Sequence, residues 1–145
     1  MGDAVANISG RHATSSRVRR ALAYAWASPT TALGLVVVGL ALATRGHVRR
    51  VDGVLEAHGG FATFLLARLT PIRAAAMTLG HVVLGQSEAS LDATRAHERV
   101  HVRQCERWGP LFLPAYGAAS LYQLLRGRRA YRDNPFEREA YEKAG

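Results

Sequence analysis

The sequence holds a single cysteine, Cys105, so no disulfide can form within the chain. A lone thiol fits a reducing compartment without requiring one. Acidic residues are scarce as well, 11 against 19 basic ones, which leaves a formal net charge of +8 carried almost wholly by arginine. An excess of that size suits nucleic acid or an anionic lipid surface. The arginines are spread along the chain and flank apolar segments, and no aromatic residues interleave with them in a nucleic-acid fingerprint. Membrane lipid is therefore the expected partner, and nucleic acid is not. Internal repeats and low-complexity tracts are missing too. A chain of 145 residues, 48% of them hydrophobic, has room for one domain with a modest core beside a membrane segment.

Charge is absent from one long run, Ala21 to Thr44. As a single helix it would rise about 35 Å, enough for the roughly 30 Å hydrocarbon core of a bilayer. Ser28-Pro29 spoils a simple helix, although membrane helices tolerate proline, and "SPTT" could instead start a shorter helix at Thr30. Trp26 and Tyr24 suit an interface. Three readings compete. The first is a transmembrane or deeply inserted anchor, which makes the chain a single-pass cell-membrane protein. The second is a cleaved export signal, since Ala41-Leu42-Ala43 resembles an A-x-A site and Arg19-Arg20 a twin-arginine start. The third is a buried core helix. Arginines flank both ends, so charge does not orient the segment. The chain thus divides into a disordered polar lead at residues 1–16, a basic-flanked apolar segment at 17–47 and a domain at 48–145.

Within that domain, Val48 to Ala57 reads as a strand with a bend at Gly53. Phe61 to Leu69 reads as a short amphipathic element ended by Thr70-Pro71, and Met77 to Leu84 as a strand closing at Gly85. A helix then starts with Ser90 or Asp92 as N-cap and runs to about Arg107, before Trp108-Gly109-Pro110. Leu111 to Gly127 is a second apolar helical stretch broken by Pro114. Asn134-Pro135 opens a last helix with proline in its first turn.

The stretch "RAHERVHVRQ", Arg95 to Gln104, places two histidines four apart with a glutamate after the first. On a helix, His97 and His101 lie one turn apart on one face and can offer two imidazole nitrogens to one ion. Glu98 sits about 100° round the helix, beside a metal rather than on it, where a general base reaches a metal-bound water. His97, Val100, His101, Gln104 and Trp108 share the inward face; Arg95, Arg99, Arg103, Glu106 and Arg107 fall mostly on the other. Cys105 continues the histidine line but stands about 12 Å along the helix from His97, too far to share an ion, and reads as a packing residue. A third ligand must come from elsewhere, with His81, Asp133, Glu137, Glu139 and Glu142 as candidates. Of these, Glu137 in "NPFEREAY" lies on the most suitable stretch and shares a face with the small Ala140.

H-E-x-x-H followed by E-x-x-A on a second helix resembles the gluzincin group of zinc metallopeptidases. The matching residues are His97, Glu98 and His101, then Glu137 and Ala140. The chain is also similar to small bacterial membrane-associated proteins carrying "HERVHVRQ" and "NPFEREAY". The resemblance implies an α+β, minimal zincin-like domain, with a short β-sheet packed on an active-site helix and a second, ligand-bearing helix. It implies Zn²⁺ held by His97, His101 and Glu137, Glu98 as catalytic base, and a peptide or protein substrate. "AMTLGHVVLG" would be the substrate-binding edge strand. Tyr116, Tyr131, Tyr141 and His81 are candidate donors to the oxyanion, and Gln104 a candidate contact to ligand or substrate. Tyr141 stands where many members of the group have an aspartate that orients a histidine, so Asp133 or a backbone carbonyl takes that role. The alternative reading is a small membrane protein with a structural or sensory zinc site and no catalytic activity.

Overall fold

The structure, a computed structural model, describes residues 16–70 and 72–145. The polar lead expected at residues 1–16 lies, but for Ser16, outside them. The fold is α+β, with a small mixed four-stranded sheet and a long N-terminal apolar helix.

That helix, α1 (Gly2–Ala43), runs through Pro29 without a break. Proline cannot donate to the carbonyl four residues back, which is that of Ala25. The Ser28 hydroxyl fills the vacancy by donating to that oxygen at 2.7 Å. Thr30 is thus mid-helix rather than a helix start. From Ser16 to Ala43 α1 is long and apolar enough to cross a membrane. It also belongs to the core. Ala27, Thr30, Gly34, Val37, Val38 and Ala41 recur at helical spacing and are buried. At Gly34 an added Cβ would stand 2.7 Å from the Val82 side chain, so the helix backbone lies directly on the sheet.

The sheet has the order β1-β2-β4-β3, with β1 (His47–Val51), β2 (Val54–His58), β3 (Ala76–Leu79) and β4 (Val82–Gly85). The single bent strand expected over 48–57 is instead a hairpin, with Val51 paired to Val54. Asp52 and Gly53 both take positive φ, 50° and 82°, the requirement of a tight two-residue loop. The strand expected over 77–84 is likewise a hairpin, turning at Gly80 (φ 65°) and His81. A parallel pairing of β2 with β4 joins the two hairpins. The crossover between them contains α2 (Gly60–Phe64), which continues as a π-helical turn over Leu65–Leu69.

Side chains alternate across β4. Val82 and Leu84 join Val37, Val38, Ala41, Ala62 and Leu66 under α1 and α2. Val83 faces the other way, with Val54, Leu91 and Val102, beneath α3 (Glu88–Trp108). The N-cap of α3 is Ser87, whose hydroxyl accepts from the Ser90 amide at 3.1 Å. Neither Ser90 nor Asp92 is the cap, because Ser87 reaches the free amides first.

Arg95 and Arg99 also depart from their expected solvent face. Glu56 of β2 is buried, and it accepts from Arg49 Nε at 3.0 Å, Arg95 Nε at 2.9 Å and Arg99 Nη2 at 3.4 Å. A buried carboxylate needs such partners, and it draws Arg95 and Arg99 of α3 down onto the first hairpin.

After a 3₁₀ turn at Gly109–Leu111 come α4 (Phe112–Leu125) and α5 (Pro135–Ala144). Pro114 falls in the first turn of α4, where amides lack helical partners, and it breaks nothing. Asn134 caps α5 by accepting from the Phe136 amide at 2.9 Å, and its own amide donates to Tyr116 O and Ser120 Oγ of α4.

Candidate metal centre

His97 and His101 leave α3 toward α5, which brings Glu137 to meet them. The three residues converge as a triangle, His97 and His101 each through Nε2 and Glu137 through both carboxylate oxygens, one toward each histidine. His97 Nε2 and His101 Nε2 are 3.1 Å apart, Glu137 Oε2 is 3.1 Å from His97 Nε2, and Glu137 Oε1 is 3.2 Å from His101 Nε2. Donors about 2.0–2.1 Å from a tetrahedral ion stand about 3.3 Å from one another, so one divalent ion fits against all three. Ala140 is fully buried, and its small side chain permits the close approach of α5.

The tautomer of His101 is set by Gln104. The Gln104 amide nitrogen donates to Phe136 O at 3.0 Å and to Glu139 Oε2 at 2.9 Å, so its oxygen must face His101. That oxygen accepts from Nδ1 of His101 at 2.8 Å. In the neutral imidazole the proton then resides on Nδ1 and the Nε2 lone pair is directed into the triangle; in the protonated ring Nε2 donates to Glu137 instead.

Burial would raise the Glu137 carboxyl, but hydrogen bonds from His101, His97 and Tyr116 outweigh it and hold it far below the usual carboxylate range. Burial would lower His101, and the hydrogen bond to Glu137 reverses that and raises it. Glu98 behaves differently. It is buried, and desolvation raises its carboxyl despite the opposing charges of His101 and His97. Its carboxylate is bonded by Thr78 of β3, whose hydroxyl donates to Glu98 Oε2 at 2.7 Å.

Three tyrosines crowd the carboxylate. Tyr116 donates to Glu137 Oε1 at 2.7 Å. Tyr131 interacts with Tyr141 and Glu137, and burial followed by those contacts raises its hydroxyl. The Tyr141 ring lies 4.6 Å from that of His97.

The other candidates are engaged elsewhere. His81, in the β3–β4 turn, stacks on Tyr24 with ring centres 3.7 Å apart, and its Nε2 meets Glu106 Oε1 at 2.9 Å. Asp133 accepts from the Arg129 amide at 2.8 Å and is bonded to no histidine among the described residues, so the orienting role considered for it falls to Gln104. Glu139 takes Lys143, Arg107 and Gln104, which pull its carboxyl down to about 2, and Glu142 is exposed. Cys105 is buried, and desolvation pushes its thiol up to about 11.

Thr78 was not signalled by any motif. It is a threonine on a short strand, and only the fold places it against Glu98. Phe112 and Phe136, ring centres 5.4 Å apart, wall the site beside His101 and are equally silent in the sequence. No family model, curated protein or solved structure matches the chain. The site is read from its own geometry.

Proposed function

We propose that this protein is a zinc-dependent metallopeptidase of minimal gluzincin type, in which His97, His101 and Glu137 hold Zn²⁺ and Glu98 is the general base. The observation that carries the reading is the ligand triangle with a second buried carboxyl, Glu98, adjoining it on the helix that supplies both histidines. Two imidazoles and one carboxylate are a donor set common at catalytic zinc, where a fourth position is kept for water. A zinc ion held by His97, His101 and Glu137 would supply Lewis-acid polarisation of the scissile carbonyl and an acidified water.

The chain's own residues supply the rest. Glu98 takes the proton of the attacking water and passes it to the leaving amine; its raised affinity for protons suits both steps. Thr78 fixes the Glu98 carboxyl by donating to Oε2. Tyr116 and Tyr131 lie on the Glu137 side of the site, and a hydroxyl that turns from Glu137 when the carboxylate is engaged by metal can serve the developing oxyanion. Among the described strands, β3 pairs only with β4, so its outer edge is free to add an extended peptide by main-chain hydrogen bonds. Such a peptide would pass Thr78, and hence Glu98.

One observation favours the non-catalytic alternative, a structural zinc. Glu137 and His101 are nearly inaccessible, at 2% and 6% exposure. The experiment that separates the two measures zinc content and hydrolysis of an unfolded protein together. The peptidase reading expects about one zinc per chain and turnover that disappears in Glu98→Gln with the metal retained. Zinc without turnover in the wild type would leave the structural reading.

A further inference from the structure

Two helices expose apolar faces that nothing among the described residues covers. On α1, Leu22, Trp26, Leu33, Val36 and Leu40 form an outward stripe, each at least 44% exposed. On α4, only Phe112 and Gln123 are buried, while Leu121, Tyr122 and Leu124 are more than half exposed and Leu125 is 79% exposed. The helices are far apart in sequence, and the turn between α3 and α4 brings the start of α4 up to α1. The 3₁₀ turn that leads into α4 rests on α1, where a Cβ added at Gly109 would strike the Trp26 ring at 2.4 Å.

Charge is distributed around this surface in one sign. No acidic residue occurs between Asp3 and Asp52 or between Glu106 and Asp133. Those two stretches hold both helices. Several exposed arginines within them flank the apolar segments: Arg19 and Arg20 before the apolar run of α1, Arg45 after it, and Arg126, Arg128 and Arg129 after α4. A second copy of the chain would bring like charges together around the contact. An anionic surface would not.

We propose that α1 and α4 form one surface on which the protein lies in the interface of an anionic bilayer, with both ends of α1 on the same side of the membrane. Crossing the bilayer is opposed by packing. The buried stripe of α1 runs from Ala27 to Ala41, with Gly34 at its middle against Val82 of β4. A spanning α1 would carry the sheet and its open edges into hydrocarbon, where unpaired backbone groups are not tolerated. Lying in the interface, α1 keeps its small-residue face on the sheet and gives its outer face to lipid.

The inference stands whether or not the metal site hydrolyses peptides, and its test does not depend on metal. The full chain is expressed in bacterial cells with one added cysteine at Arg19→Cys or at Arg50→Cys, both exposed positions, the first before the apolar run of α1 and the second on β1 just beyond it. Buried Cys105 stays as the unlabelled background. An impermeant maleimide is applied to right-side-out and inside-out membrane vesicles. Labelling of both positions in the same preparation is the expected result; labelling in opposite preparations overturns the proposal in favour of a span. A second variant, Leu124→Asp with Leu125→Asp, is tested by flotation with phosphatidylglycerol vesicles. Binding at least tenfold weaker than wild type, with an unchanged circular dichroism spectrum, is expected. Undiminished binding, or a soluble wild-type dimer that ignores vesicles, removes the membrane surface.

Discussion

The side-chain oxygen of Gln104 lies 2.8 Å from Nδ1 of His101, one turn along the same helix. This contact decides which nitrogen of the imidazole is free for a metal. Gln104→Leu removes it while keeping a similar volume. Metal affinity should fall about 10–100-fold, as is usual when a ligand's supporting hydrogen bond is lost. Competition with a chelating dye measures it; an affinity equal to wild type would show that the orientation of His101 comes from packing alone.

Glu98 touches the site without belonging to the ligand triangle. Glu98→Gln should retain about one zinc per chain and lower peptide hydrolysis by about 10²–10⁴-fold. Elemental analysis and a single peptidase assay suffice. Loss of the metal in this variant would make Glu98 a ligand instead.

Removing the third donor should be more severe. In Glu137→Gln the two histidines remain on α3, but the charge that links α5 to them is gone. The wild type is expected to lose thermal stability on chelation, by mass action. The variant should melt at one temperature with and without chelator. A chelator response of wild-type size in Glu137→Gln would place the metal elsewhere.

Glu56 joins three arginines in the interior of the α3–hairpin contact. Breaking such a network from one side costs about 3–5 kcal/mol, so Glu56→Ala should be among the most destabilising single changes outside the metal site. Burial pushes the Glu56 carboxyl up, but hydrogen bonds from Arg95 and Arg49 win and hold it below its ordinary value of 4.5. Because the folded value is the lower one, the stabilisation is fully present above about pH 4.5 and is lost as acid takes the pH down through the folded value. Urea denaturation of wild type and Glu56→Gln should therefore differ most at neutral pH and converge in acid.

How much of this was legible depends on the range of the interaction. His97, Glu98 and His101 are spaced by one helix, so their relation follows from helical geometry alone. Glu137 was reachable through Asn134-Pro135, which announces a helix start in front of it. The two hairpins were hidden because Asp52-Gly53 and Gly80-His81 sit inside continuous β-prone runs, where a tight loop and a bend look alike in composition. Arg95 and Arg99 read as solvent-facing because a helical wheel carries no information about Glu56 on another element. The hydroxyl of Thr78 and the amide of Gln104 gain their roles only when β3 and α5 close on α3. A motif names the donors; their support comes from the fold.

Glu137 lies on α5, well downstream of the two histidines on α3, and Asn134 binds that late segment to α4 through two hydrogen bonds. During synthesis the histidines leave the ribosome before their partner exists. A nascent chain that has made α3 but not α5 carries half a site and no third donor. A metal ion that needs all three donors could be held only after α5 has been made and docked, so its occupancy would report that docking.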